Sequence, residues 1–148
     1  MSTIPDVPRE TTLHVRDHCL CLHAQRAARA LARRFDEAFR PLGLTNGQFS
    51  LMMALSGPEP RPMGRVAAFL AMDRTTLTAA LKPLERRGLV EVRPHPTDRR
   101  SRVLPLTPPG RALLARALPV WRETHREVEQ LLPAGSADGL RSGLKSLS

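Results

Sequence analysis

Thr75, Ala79, Lys82 and Arg86, with Thr78 at the margin, share one side of a segment whose other side is Leu77, Leu81 and Leu84. The leucines fall at i, i+4 and i+7, the spacing of a single helical face. Small and hydroxylated side chains let a helix lie against base edges, and lysine and arginine meet phosphates. Shortly after it, Pro94 to Ser101 reads as a tip carrying Arg99 and Arg100 between two alternating stretches, Leu89–Arg93 and Arg102–Leu106. The chemistry offered is recognition of a polyanion, not bond making. A polar-basic helix followed by a basic hairpin predicts a winged helix-turn-helix, and with it a protein that binds double-stranded DNA.

The neighbouring residues are those needed to position such a helix. Asp73 suits its N-cap, and Gly88 supplies the C′ residue that ends a helix in the left-handed conformation. Pro83 lies inside it and removes one backbone donor, so a local kink is expected. Upstream, Thr45-Asn-Gly-Gln48 has the capping-box pattern and opens a helix running to about Leu55. Pro58 to Pro62 is a stiff connector, and Met63 to Leu70 gives a short helix before the turn at Ala71-Met72. Two short helices and a tight turn before the polar-faced one complete the helix-turn-helix.

The flanks read differently. Residues 1–12, with two prolines among polar residues, are expected to form a flexible arm. Residues 13–42 carry a helical apolar stripe from Leu20 through Leu31 and Phe35 to Leu42. Roughly thirty residues make a helix on the order of 45 Å long, too long for one small domain to bury, so a partner subunit is expected against it. After the hairpin, Thr107-Pro108 starts another helix that Pro119 should kink, and Leu140, Leu144 and Leu147 mark a last amphipathic one. The organisation predicted is mainly α with a small β-hairpin wing. The arm is followed by an N-terminal dimerisation helix (13–42), the winged helix-turn-helix unit (43–107) and C-terminal dimerisation helices (108–148).

Composition agrees with an anionic partner. Lysine and arginine number 23 against 14 aspartate and glutamate, a formal net charge of +9. Aromatics are only 3%, with no tyrosine, which argues against readers that stack single-stranded bases. No apolar run is long enough for a membrane span, and the first residues lack the apolar core of a signal peptide. A cytoplasmic protein that needs no cofactor is expected. No phosphate-cradling glycine loop, no H-E-x-x-H and no G-x-S-x-G occurs, so an enzyme is not expected. A non-specific architectural DNA binder is the alternative that charge alone would allow; it predicts affinity set by salt and indifferent to sequence.

The segment LTAALKPLERRGLVEVRPHPTDRRSRVLPLTPPGRALL resembles the signature of MarR-type transcription regulators. Its carriers are Leu77, Leu81, Leu84, Glu85, Gly88 and Leu89, then Asp98, Arg99 and Arg100, then Leu106, Thr107 and Gly110. The resemblance implies a homodimer that binds a pseudopalindromic operator and represses transcription until a small organic ligand or an oxidant releases it. It further implies that Arg74, Thr75, Thr76, Thr78, Ala79 and Lys82 meet bases and phosphates in the major groove. Wing residues Arg99, Arg100 and Arg102 would reach the flanking minor groove, with Asp98 orienting a neighbouring arginine through a charge-assisted hydrogen bond. Arg86 and Arg93 fit either a DNA contact or a solvated face.

Cys19 and Cys21 could do a second kind of chemistry. Cys21 falls close to where peroxide-sensing members of that family keep a reactive cysteine. Those members support the thiolate with tyrosine hydroxyls, which this chain lacks. Inside a helix the two cysteines project about 200° apart and cannot easily bond each other. Packing as small hydrophobes is the plainer role. His14, His18 and Cys21 can share a helical face, as can Cys19 and His23, but a tetrahedral metal would need a ligand from elsewhere, so no metal site is assigned. An organic anion near Arg26 or Arg29 is the remaining option.

Overall fold

The structure, a computed structural model, describes residues 5–148; residues 1–4 of the expected arm lie outside the described residues. It divides into two compact units, one up to Arg34 and one from Phe35 to Ser148.

The first unit is helical. α1 spans Arg9–His18 and α2 begins at Leu20, running to Phe39 and so continuing into the second unit. Two expectations are corrected here. The helix starts at Arg9, not near residue 13, and it is interrupted at Cys19, whose backbone is extended (φ −69°, ψ 109°). The Cys19 thiol then stands where an N-cap side chain would, its Sγ accepting the Leu22 N–H at 3.4 Å. Leu20 and Leu31, part of the predicted stripe, are exposed.

The second unit holds the core. Residues Arg40–Leu42 form a 3-10 turn that closes α2, and Gly43 takes the left-handed conformation at φ +67°. α3 spans Asn46–Ala54, with the capping box formed as expected: the Thr45 hydroxyl accepts from the Gln48 amide, and the Gln48 side chain accepts from the Thr45 amide. The Asp36 carboxylate takes both the backbone and the side-chain N–H of Asn46, at 2.7 and 2.8 Å, which holds its carboxyl below the usual range. α4 (Met63–Phe69) packs against α5 (Arg74–Arg86), and α6 (Pro108–Gln130) packs against α3. α7 spans Ala137–Ser146. Both α5 and α6 pass through their prolines, Pro83 and Pro119, as single elements.

Leu77, Leu81 and Leu84 are buried together with Phe39, Met52 and Leu104. Fully burying such a side chain contributes about 1.5–3 kcal/mol, so this cluster sets the pitch and roll of α5.

The hairpin is shorter than its alternation suggested. β1 is Arg93–Pro94 and β2 is Arg102–Val103, antiparallel, with an isolated bridge between Val90 and Leu106. Pro94 and Pro105 have no N–H to donate, which thins the ladder at those steps. The connector before α4 compensates on the other edge: the Arg61 carbonyl accepts from Leu104, and Pro62 bridges Val103.

Candidate nucleic-acid interface

α5 is fixed at both ends by local chemistry. At its start the Asp73 carboxylate accepts the Thr76 amide at 2.7 Å, a bond that holds Asp73 below the ordinary carboxylate range. At its end Gly88 sits at φ +69°, the Gly88 amide bonds to Glu85 and the Leu89 amide to Leu84. These two bonds make a Schellman closure, which turns the chain sharply into the wing. The same closure recurs at the helix-turn-helix corner, where Met72 bonds back to Ala67 and Ala71 to Ala68. There the left-handed residue is Ala71, at φ +52°, without a glycine's freedom.

With the leucines inward, the opposite face is free. Arg74, Thr75, Thr76, Thr78, Ala79, Lys82 and Arg86 are all exposed. Among the described residues no ion pair engages Arg74, Lys82, Arg86, Arg99, Arg100 or Arg102, and the hydroxyls of Thr75, Thr76 and Thr78 make no hydrogen bond. The donors and charges of this face are therefore unspent. Arg93 differs, because its guanidinium is held by Glu91 at 2.5–2.6 Å. That pairing favours the solvated-face reading for Arg93.

The wing tip is built by two acceptors. Asp98 Oδ1 accepts the backbone N–H of Arg100 at 3.0 Å. Asp98 therefore holds the backbone of Arg100, and among the described residues no ion pair joins its carboxylate to an arginine guanidinium. His95 Nδ1 accepts the amides of Thr97 and Asp98 at 3.2 and 3.1 Å, and the backbone closes through His95 N–H to Ser101 and Ser101 N–H to Asp98.

Two positioning contacts were not anticipated. Arg87 reaches 44 residues back to donate to the Gly43 carbonyl at 2.6 Å, tying the end of α5 to the turn after α2. Thr107 ties the start of α6 to the close of α5. Its hydroxyl donates to Gly88 O (2.6 Å) and accepts from the Gly110 amide (3.1 Å), and its own amide donates to Leu89 O (3.1 Å). The Leu106-Thr107-x-x-Gly110 spacing was the available signal. It marks a joint between α6 and the close of α5, with Gly110 beneath the Leu89 carbonyl.

The profile of the MarR family matches residues 42–101, the stretch that contains α3, α4, α5 and most of the wing. The chain is also similar along nearly its whole length to the transcriptional regulator MosR of M. tuberculosis, solved in complex with DNA. The two share 38% identity over 88% of this chain and 93% of that one, with a TM-score of 0.79. The chain belongs to the MarR family. A second solved relative is the transcriptional repressor CouR bound to a 23-mer DNA duplex, at 30% identity over 97% of this chain and 99% of that one, with a TM-score of 0.79. Among curated relatives, the transcriptional activatory protein BadR of Rhodopseudomonas palustris is 36% identical over 87 residues, covering 57% of this chain and 50% of that protein. The chain spans between 50% and 59% of the length of the first curated relatives it matches. The winged helix-turn-helix expected of the sequence is the MarR-family fold.

The other candidate residues lie in the first unit. Cys21 is exposed and Cys19 half-buried, so neither is a buried packing residue within this chain. Cys21 Sγ accepts from Gln25 Nε2 at 3.4 Å. His14 and His18 stack at 4.1 Å, and the Nδ1 atoms of His18 and His23 lie 2.8 Å from the carbonyls four residues earlier. Among the described residues no group of three metal-ligating side chains converges. His23, Arg26, Arg29 and Arg33 line a shallow basic groove on α2 with Ala27 and Ala30. Among the described residues no helix is long and apolar enough to cross a membrane.

Proposed function

We propose that this protein is a sequence-specific DNA-binding transcriptional repressor acting as a homodimer on a pseudopalindromic operator. The observation that carries the proposal is the face of α5 and the wing, where six cations and three threonine hydroxyls are exposed without partners among the described residues. α5 enters the major groove, where Arg74, Thr75, Thr76, Thr78, Ala79, Lys82 and Arg86 meet base edges and phosphates. Arg99, Arg100 and Arg102 flank it, Arg100 reaching the minor groove. A non-specific binder would need the charge but not this patterned face.

Exposed apolar residues support self-association. Leu140, Leu144 and Leu147 on and after α7 are 47%, 47% and 66% exposed, and α2 presents Leu20 at 70%. These faces are suited to a second copy of the chain. Repression is the sign carried by CouR and activation the sign carried by BadR. The position of the operator relative to the promoter decides between them here.

Two signals have support. The interruption at Cys19 lifts the geometric objection to a bond with Cys21, because the 200° separation holds only inside one helix. A hydroperoxide would oxidise one thiol to sulfenic acid and leave as the alcohol; the second thiol would then displace water to form the disulfide. The basic groove of α2 supports an organic anion instead.

Arg100→Ala should weaken operator binding by about 1–3 kcal/mol and leave the dimer intact. Unchanged affinity would remove the wing from the interface. Footprinting with dithiothreitol and then hydroperoxide separates the signals. A footprint lost on oxidation and restored by thiol assigns the cysteines as sensor, and one indifferent to oxidant leaves the groove.

A further inference from the structure

His95 is half-buried at the base of the wing tip, and its Nδ1 accepts two backbone amides, from Thr97 at 3.2 Å and Asp98 at 3.1 Å. A backbone N–H can only donate, so Nδ1 must carry its lone pair and the ring proton must sit on Nε2. An imidazolium has no acceptor at all. In that state two amides would face a third N–H, and the turn that presents Arg99 and Arg100 would lose the acceptor that shapes it. The Asp98 bond to the Arg100 amide lies in the same turn, so the two acceptors together hold the amides of Thr97, Asp98 and Arg100.

We propose that His95 is a positioning residue for DNA recognition: in its neutral Nε2–H form it organises the wing tip, and its protonation releases the tip and weakens DNA binding. The inference rests on the wing contact proposed above. The charged groups on the strands and turn that carry His95 are Asp98, Arg99 and Arg100 in the tip, Arg93 with its partner Glu91 beside β1, and Arg102 on β2. An imidazolium beside the DNA phosphates would be attracted to them, so added charge alone predicts tighter binding at low pH. Loss of the tip predicts weaker binding. The two effects have opposite signs, which makes the pH profile decisive.

The experiment uses the full chain and a duplex selected from a random pool at pH 7.5. Affinity is measured by fluorescence anisotropy at pH 7.5 and 5.5 at constant ionic strength, for the wild type, His95→Asn, His95→Gln and Arg100→Ala. Asparagine places its carbonyl oxygen where Nδ1 stands and does not titrate, whereas glutamine places its oxygen near Nε2. At pH 7.5 His95→Asn should bind like the wild type and His95→Gln about tenfold more weakly, within the range of losing one wing arginine. Acidification should cost the wild type about tenfold more than His95→Asn, because only the imidazole can lose its Nδ1 acceptor by taking up a proton. In parallel, the ¹⁵N-labelled protein without DNA should show the Thr97 and Asp98 amide resonances shifting with imidazole protonation. Identical pH profiles for the wild type and His95→Asn, or tighter wild-type binding at pH 5.5, would overturn the proposal. If Arg100→Ala binds normally at pH 7.5, the wing contact itself is wrong and the proposal falls with it. If Arg100→Ala is weak while the amides are indifferent to pH and the wild type follows the same pH profile as His95→Asn, only the role of His95 is lost.

Discussion

Gly110→Ala tests the joint between α6 and the close of α5. Gly110 is the third residue of α6, where alanine would ordinarily be favoured over glycine by about 1 kcal/mol. Here an added Cβ would lie 2.1 Å from the Leu89 carbonyl oxygen, 3.1 Å from its carbon and 3.4 Å from Leu106 Cδ2. The obstructing atom is backbone, so the segment must move by roughly an ångström, and overpacking of this kind costs about 1–3 kcal/mol. The shift also strains the Thr107 amide bond to Leu89 and the Thr107 hydroxyl bond to Gly88, each contributing about 1 kcal/mol. Setting the propensity gain against these losses leaves a net destabilisation of roughly 2–4 kcal/mol. For a chain of this size that lowers Tm by about 4–16 °C. Urea and thermal unfolding should be compared at matched protein concentration, because any dimer makes stability depend on it. Gly143→Ala in α7 is the control: nothing lies within 4 Å of its added Cβ, so a gain of up to about 1 kcal/mol is expected. A Gly110→Ala protein as stable as the wild type would refute the close approach of α6 to Leu89.

Other perturbations separate caps from corners. Ala71→Gly should stabilise the fold by about 1 kcal/mol by relieving the left-handed alanine at the helix-turn-helix corner; a loss in urea denaturation would show that φ +52° is not strained there. Asp36 has a depressed folded pKa, so its contribution is full above the unfolded value near 3.9 and is lost as pH falls through the folded value. Asp36→Ala should therefore lower stability by about 1 kcal/mol at neutral pH. The deficit should shrink on acidification below pH 4, and one that stays constant to pH 2 would assign the loss to packing.

The features legible in the sequence are those produced by short-range chemistry. Capping at Thr45, Asp73 and Thr107 and helix closure at Gly88 depend on residues within a turn of each other, and the leucine spacing of α5 states which face is buried. The interruption at Cys19 was not legible, because neither glycine nor proline marks it. The bonds from Arg87 to Gly43 and from Leu104 to Arg61 join residues more than 40 apart, and no local pattern encodes them. In the candidate interface the exposure of Thr75, Ala79, Lys82 and Arg86 opposite the leucines follows from periodicity, whereas Arg74 and Thr76 enter only through the family resemblance. The role of His95 follows from neither, since it depends on which ring nitrogen two amides meet.

In the proposed function, a symmetric pair of α5 helices and wings recognises a specific DNA sequence. The most direct test is DNase I footprinting and competitive anisotropy on a selected duplex against a scrambled one of equal length and salt. A two-fold symmetric footprint is expected, with half-site centres about one helical turn apart, near 10–10.5 base pairs, and at least a thousandfold preference for the selected sequence. Equal affinity for the two duplexes, with binding lost in step with salt alone, would contradict it.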